Sequence, residues 1–280
     1  MKYILHEDML EQFRRILVEE EKSNATIDKY MRDVRGFFQY AQRAGGVDKE
    51  LVVEYKRSLL DKYTVTSANS ILAAINRFFQ CMDMYECVIK AYRVQKESFR
   101  AQNRELTKSE YHCLLRTALK KRKNRLYLLM QTICSTGIRI SELKYITVQA
   151  VDSGQAVVSL KGKTRKVLLP SKLRQQLKHY IRKERIPQGS VFITRRGNPV
   201  DRSNVLHEMK ALCEEAGIDR KKVFPHNLRH LFACTYYQME KNIAHLADLL
   251  GHSSINTTRI YTRVSGAEQV KQIDMLGLIL

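Results

Sequence analysis

Apolar residues recur at intervals of three and four along most of this chain, and only near residue 160 does another rhythm take over. In "NATIDKYMRDVRGFFQYAQRAGG", Ile27, Tyr30, Val34, Phe37, Phe38 and Ala41 share one face of a helix that Gly45 and Gly46 stop. A second stripe, Ile71, Leu72, Ile75, Phe78 and Phe79, runs through "SANSILAAINRFFQCM". Both stripes read as helix core. Further on, "LYLLMQTICSTG" predicts a buried helix ending at Gly137, and "RISELKYI" predicts that the helix resumes. Asp201 to Ala216 read as a helix closed by Gly217, and "NIAHLADLL" as one stopped by Gly251. The exception is "AVVSLKGKTRKVLLP", where two β-rich runs flank a Lys/Gly/Thr turn, with another short strand expected at "SVFIT". These patterns predict a mostly α fold with a small antiparallel β-sheet, in the α+β class.

Charge divides the chain. Residues 1–98 hold 16 basic and 15 acidic side chains, whereas 99–280 hold 33 and 14, so nearly all of the +20 excess lies in the second part. Such an excess points to a polyanionic partner, a nucleic acid or an acidic membrane surface. The polar, basic "KESFRAQNRELTKSEY" separates the two parts, and within it Thr107-x-x-Glu110 has the form of a capping box that opens a new helix. Six cysteines, at 81, 87, 113, 134, 213 and 234, include no C-x-x-C pair, so reduced thiols are expected instead of a zinc ribbon or a disulfide framework. With no apolar run of bilayer-spanning length and no secretory leader, the expected protein is soluble and intracellular.

The chemistry-bearing residues gather in the second part. "PHNLRHLFA" opens a helix at Pro225 and sets His226 and Arg229 three apart on one face. His252 follows Gly251, on a loop and off any apolar face, and Tyr261 comes nine residues later in "LGHSSINTTRIYT". In "STGIRISEL", Arg139 stands just after a glycine turn at a helix start, where backbone N–H groups favour a phosphate. The hairpin turn "KGKTRK" adds Lys161 and Lys163, each of which read alone is an ordinary edge lysine. His226 and His230, four apart on a helix, also have the spacing of metal ligands. They lack the H-E-x-x-H glutamate and an acidic third ligand, and Arg229 between them would repel a cation, so no metal is expected. Two arginines, two histidines, a lysine and a tyrosine without clustered carboxylates suit phosphoryl transfer in which cations neutralise the phosphate and tyrosine is the nucleophile.

"TGIRISEL", the "KGKTRK" hairpin, "PHNLRHLFA" and "LGHSSINTTRIYT" resemble the tyrosine recombinase (phage integrase, Xer-like) family in order and spacing, over roughly 105–265. The preceding "ATIDKYMRDVRGFFQYA" looks like that family's helical core-binding domain. The resemblance implies a SAM-like helical core-binding domain at 1–98, a linker at 99–104 and a catalytic domain at 105–265. A tail at 266–280, with Val270, Ile273, Leu276 and Ile279 at helical spacing, is expected to dock on a neighbouring protomer. It further implies a metal-independent and cofactor-independent recombinase in which Tyr261 forms a 3′-phosphotyrosyl link. Arg139, Arg229 and His252 would hold the transition state, His226 would be the base, and Lys163, with Lys161 as the alternative, the acid for the 5′ oxygen. Glu142 and His230 match supporting positions. The hairpin departs from the commonest form of the motif by one residue in the distance from either lysine to Pro170.

The implied partners are double-stranded DNA, three further copies in a tetramer on paired sites, and, as a further candidate, a second recombinase or an accessory protein; no membrane is involved. A cytoplasmic, nucleoid-associated protein serving integration, excision or resolution is expected. Two other functions remain to be distinguished: a regulator that binds DNA with the recombinase fold but no turnover, and a topoisomerase IB-like nicking-closing enzyme.

Overall fold

The computed structural model describes residues 2–93, 105–160, 163–262, 270–271 and 274–276, without the side chains of Arg43, Leu160 and Lys163. The 99–104 linker and Lys161 therefore lie outside the described residues. The chain forms two compact units, Met1–Lys96 and Glu97–Leu280.

In the first unit, α1 (Asp8–Glu19), α2 (Asn24–Ala41), α3 (Lys49–Lys62) and α4 (Val65–Cys81) enclose one apolar core. The two stripes supply it: Val34, Phe37, Ile75, Phe78 and Phe79 are wholly buried, and Phe78 packs edge-to-face with Phe13 and Phe38 at 5.5 and 5.4 Å. Such edge-to-face pairs add to the area term that dominates the stability of a small helical unit. Asp48 and Thr64 cap α3 and α4 by accepting from the N–H groups of Leu51 and Ser67. On α4, Asn76 and Asn69 each clamp the backbone of the returning chain. Their amides donate to the carbonyls of Ile89 and Tyr92 at 2.8 and 2.9 Å and accept the same residues' N–H groups.

The second unit opens with α5 (Lys108–Lys120), whose capping box is formed as its sequence suggests, Thr107 and Glu110 exchanging hydrogen bonds. Next come α6 (Asn124–Thr136), α7 (Val148–Ser153) and the antiparallel hairpin β1 (Gln155–Leu160) and β2 (Lys163–Leu168), in register from Gln155 against Leu168 to Leu160 against Lys163. They are followed by α8 (Ser171–Lys183), α9 (Arg202–Lys210), α10 (Cys213–Ala216), α11 (Pro225–Glu240), α12 (Ile243–Leu250) and α13 (Ile255–Thr258). The α6 helix lies at the centre, against α5, α8 and α11, and its Leu126, Leu129, Met130 and Ile133 are fully inside. The architecture is the expected mostly helical one with a two-stranded antiparallel sheet.

Three local expectations are corrected. "RISELKYI" does not resume as an α-helix: Ile140–Tyr145 forms a 3₁₀ turn, because Glu142 folds back onto Arg139 and holds the segment in a tight curve. "SVFIT" makes isolated bridges, Thr147 to Ser190 and Ile193 to Pro199, in place of a strand; Val191 and Phe192 are both buried, so neighbouring side chains do not alternate between core and solvent. The Asp201–Ala216 helix is interrupted at Ala211–Leu212, where the Leu212 N–H turns to the Met209 carbonyl three residues back. In the tail, Val270 and Leu276 are exposed, and Ile273 and Ile279 lie outside the described residues. Among the described residues no helix is long and apolar enough to cross a membrane.

Candidate active site

Two helices end side by side over the start of a third, and the site is built where they meet. The α6 and α12 helices both stop at left-handed glycines, Gly137 with φ 64° and Gly251 with φ 63°. A helix end leaves carbonyls without intrahelical partners and carries partial negative charge. Arg229, in the second turn of α11 and only 3% exposed, answers both ends. Its guanidinium donates to the carbonyl of Gly137, to that of Leu250 at 2.7 Å and to Nε2 of His252 at 3.0 Å. Burial and the adjacent Arg139 lower its pKa to about 10, so it remains cationic at neutral pH.

Gly137 has a second reason to be glycine. A Cβ built there would stand 2.5 Å from the Phe232 ring and 2.9 Å from Leu250. Gly137→Ala is therefore expected to combine an unfavourable φ with a clash that displaces an Arg229 acceptor. Thermal unfolding should report a loss of about 2 kcal/mol or more, accompanied by loss of activity.

Arg139 precedes the 3₁₀ turn that holds Glu142. This carboxylate is 1% exposed and accepts from the Arg139 backbone N–H and side chain, each at 2.9 Å, and from Arg165 at 2.6 Å. Burial raises its pKa, but the hydrogen bonds and positive charge of Arg139 and Arg165 outweigh that and hold it below the usual range. The Arg139 backbone N–H is thus already taken, and it is the half-exposed guanidinium, 3.4 Å from the Gly251 carbonyl, that faces the cleft.

His252 lies between two partners, with Nε2 toward Arg229 and Nδ1 2.8 Å from the Thr258 hydroxyl. A guanidinium only donates, so Nε2 accepts and the ring proton resides on Nδ1. Burial, reinforced by Arg229, Arg139 and Arg165, brings its pKa down to about 4, and the ring is neutral. Tyr261, 4% exposed, lies nearly parallel to His252, with centroids 6.2 Å apart and planes at 14°. His230 meets its ring at 5.1 Å. Burial raises the phenol's pKa, opposed by the charge and hydrogen bond of Arg229. The resting hydroxyl is therefore protonated, and Arg229 is the group that most favours its anion.

The two histidines of α11 differ. His226 has an open surface, yet lost hydration and the nearby His230, Arg229 and Arg139 lower its pKa, so it is neutral and able to accept a proton. Among the described residues the rings against Tyr261 are those of His230 and His252. His230 donates from Nε2 to Glu105 at 3.0 Å; burial opposes its charge, but Cys234 and Glu105 outweigh that and raise its pKa to about 9. A folded-state pKa above the unfolded value contributes stability that is complete below about pH 6.5 and lost as pH rises through about 9. Glu105→Gln is expected to lower the melting temperature at pH 6.5, with the difference from wild type shrinking toward pH 9 in a series of thermal melts.

The structure thus brings Arg139, Glu142, Arg229, His230, His252 and Tyr261 into one cluster, with His226 at its open edge. Lys163 opens β2 opposite Leu160, with its side chain outside the described residues. Sequence reasoning missed Arg165, Glu105 and Thr258. Strand alternation, which sets positions 163 and 165 on one face of β2, was the available signal for Arg165; the other two meet their partners only through the fold. Among the described residues no group of three or more His, Cys, Asp or Glu side chains is placed to hold a metal ion.

Against known proteins, the description "Phage integrase family" matches residues 104–268, and "Phage integrase, N-terminal SAM-like domain" matches 10–82. The chain is 28% identical to tyrosine recombinase XerA of Pyrococcus furiosus over 284 residues, 98% of this chain and 96% of that protein. Its fold is similar to that of XerH site-specific recombinase bound to palindromic difH substrate, with TM-score 0.74, 20% identity and coverage of 90% of this chain and 80% of that one. It is likewise similar to a lambda integrase tetramer bound to a Holliday junction, with TM-score 0.73, 17% identity and coverage of 91% and 76%.

Proposed function

Because this chain belongs to the phage integrase family and is a tyrosine-type site-specific DNA recombinase, we propose that Tyr261 is its nucleophile and that the cluster around Arg229 is its catalytic centre. The Tyr261 oxygen attacks the scissile phosphorus as its proton passes to His226. The P–O5′ bond breaks, and the departing oxygen takes a proton from the hairpin lysine, Lys163 or, as the alternative, Lys161. What remains is a 3′-phosphotyrosyl link and a free 5′-hydroxyl, and rejoining runs the same steps backwards.

Arg139, Arg229 and His252 hold the non-bridging oxygens. His252 begins neutral with Nε2 accepting from Arg229; an incoming phosphate draws the guanidinium toward itself and, as an anion beside the ring, favours protonation of that nitrogen. The observation that carries the reading is the position of Arg229, a buried cation bonded to His252 and near enough to Tyr261 for its charge to oppose the rise in the phenol's pKa. A regulator without turnover would have no use for the tyrosine in that position.

Residues 1–98 are taken as the core-binding domain and 105–265 as the catalytic one, joined by 99–104. XerH is described on its difH substrate and lambda integrase as a tetramer on a Holliday junction. By analogy the partners here are double-stranded DNA and further copies of the chain, the exposed Val270 and Leu276 of the 266–280 tail docking on a neighbour. The +20 charge supports phosphate-dominated, salt-sensitive binding, and a cytoplasmic, nucleoid-associated location follows. The reading is tested with a nicked suicide duplex from the DNA flanking the gene: wild-type protein should form a covalent adduct in EDTA that survives denaturing electrophoresis. Bound DNA without an adduct would count against it.

A further inference from the structure

We propose that Arg165 is a positioning residue that latches the turn end of the β1–β2 hairpin to the catalytic cluster and so places the general-acid lysine against the leaving oxygen.

A two-stranded hairpin is marginal alone and takes its position from what it is fastened to. Here the fastening changes along its length. Ala156 and Val167, paired near its base, and Val158, paired with Arg165 one step nearer the turn, are buried in the domain core. Toward the turn the attachments become polar: the Tyr145 hydroxyl donates to the Ser159 carbonyl at 2.5 Å, and Arg165 reaches away from β2 into the site. Its guanidinium donates to the Leu249 carbonyl at 2.7 Å and to Glu142 at 2.6 Å. The side chain is 15% exposed. Both acceptors belong to the catalytic centre. Glu142 also orients Arg139, and Leu249 lies in the last turn of α12, just ahead of the Leu250 carbonyl, Gly251 and His252. One residue therefore ties β2 to the segments that carry Arg139 and His252.

Gly251 is shaped around this latch, since a Cβ there would collide with the Arg165 side chain. With its donors directed to Glu142 and Leu249, Arg165 is poorly placed to grip a phosphate itself. Position 163 lies two residues away on the same face of the strand, about 7 Å along it. Lys161, outside the described residues, precedes that position by two in the chain. Whichever lysine supplies the proton, its backbone position depends on this attachment.

The inference rests on the reading of a hairpin lysine as the acid, and the test separates the two. Arg165→Met removes both hydrogen bonds while keeping the stem; Arg165→Gln keeps a donor should the first variant fold poorly, and equal DNA affinity and melting near wild type establish folding. Cleavage is compared on the duplex where wild-type protein forms its adduct, with either the natural 5′ oxygen or a bridging 5′ sulfur at the scissile bond. A thiol's pKa of about 8.5 lets sulfur depart as the anion, without a proton from the enzyme. The arginine variants are expected to cleave the oxygen substrate about 10²-fold or more slowly, the scale of a lost general acid, and the sulfur substrate within a few-fold of wild type, with Lys163→Ala or Lys161→Ala behaving alike. If a lysine variant is rescued by sulfur while the arginine variants stay equally slow on both substrates, or are not slowed on oxygen, positioning is overturned and the lysine reading stands. If neither lysine variant is rescued, the acid assignment falls and this inference with it.

Discussion

Replacing Arg229 with methionine is expected to slow covalent adduct formation by at least about 10²–10³-fold, the scale of losing one preorganised donor from a charge-stabilising site. The effect on folding should be much smaller, because two terms oppose each other. The change relieves the desolvation of a guanidinium that is 3% exposed, but leaves the Gly137 and Leu250 carbonyls without their donor, a cost of about 1–3 kcal/mol per stranded group. Melting should therefore shift by only a few degrees while cleavage falls by orders of magnitude. Arg229→Lys should not restore activity, because an ammonium cannot reach Gly137, Leu250 and His252 together in the planar fork that arginine presents. Single-turnover cleavage measured beside thermal melts checks both halves; a lysine variant near wild-type rate would show that charge alone suffices.

Tyr261→Phe is expected to remove the adduct entirely while leaving the protein folded and bound to DNA. Phenylalanine keeps the packing against His252 and His230 and removes only the phenol oxygen, a change expected to cost about 1 kcal/mol. The raised phenol pKa makes a further point: burial disfavours the tyrosinate until a phosphate, the guanidiniums and an accepting base are in place together. Mobility-shift and denaturing gels on the same duplex should show affinity within a few-fold of wild type and no covalent product.

What could be read from the residue string is what depends on neighbours in the string. Gly137, Gly217 and Gly251 end their helices in left-handed turns as expected, because the need for positive φ is local. The Thr107–Glu110 capping box and the two aromatic stripes follow for the same reason. Local rhythm misled where a side chain from elsewhere takes over: Glu142 sits in a pattern that reads as helix, yet it bends its segment into a 3₁₀ turn by serving two arginines. The string places Arg139 at a helix start with backbone N–H groups open to a phosphate, whereas its own N–H is bonded to that carboxylate. His226 and His230, four apart on one helix, could not be told apart by spacing. Only the fold shows that His230 is held by Glu105 against the Tyr261 ring while His226 faces outward.

The central claim is that one tyrosine, within this cationic cluster, carries the DNA strand. It is tested by trapping the wild-type adduct on a suicide duplex in EDTA, digesting both protein and DNA, and locating the nucleotide remnant by mass spectrometry. The account predicts the remnant on Tyr261 alone among the 14 tyrosines, joined through a 3′-phosphate. A remnant on any other residue, or an adduct that forms only when a divalent metal is restored, would contradict it.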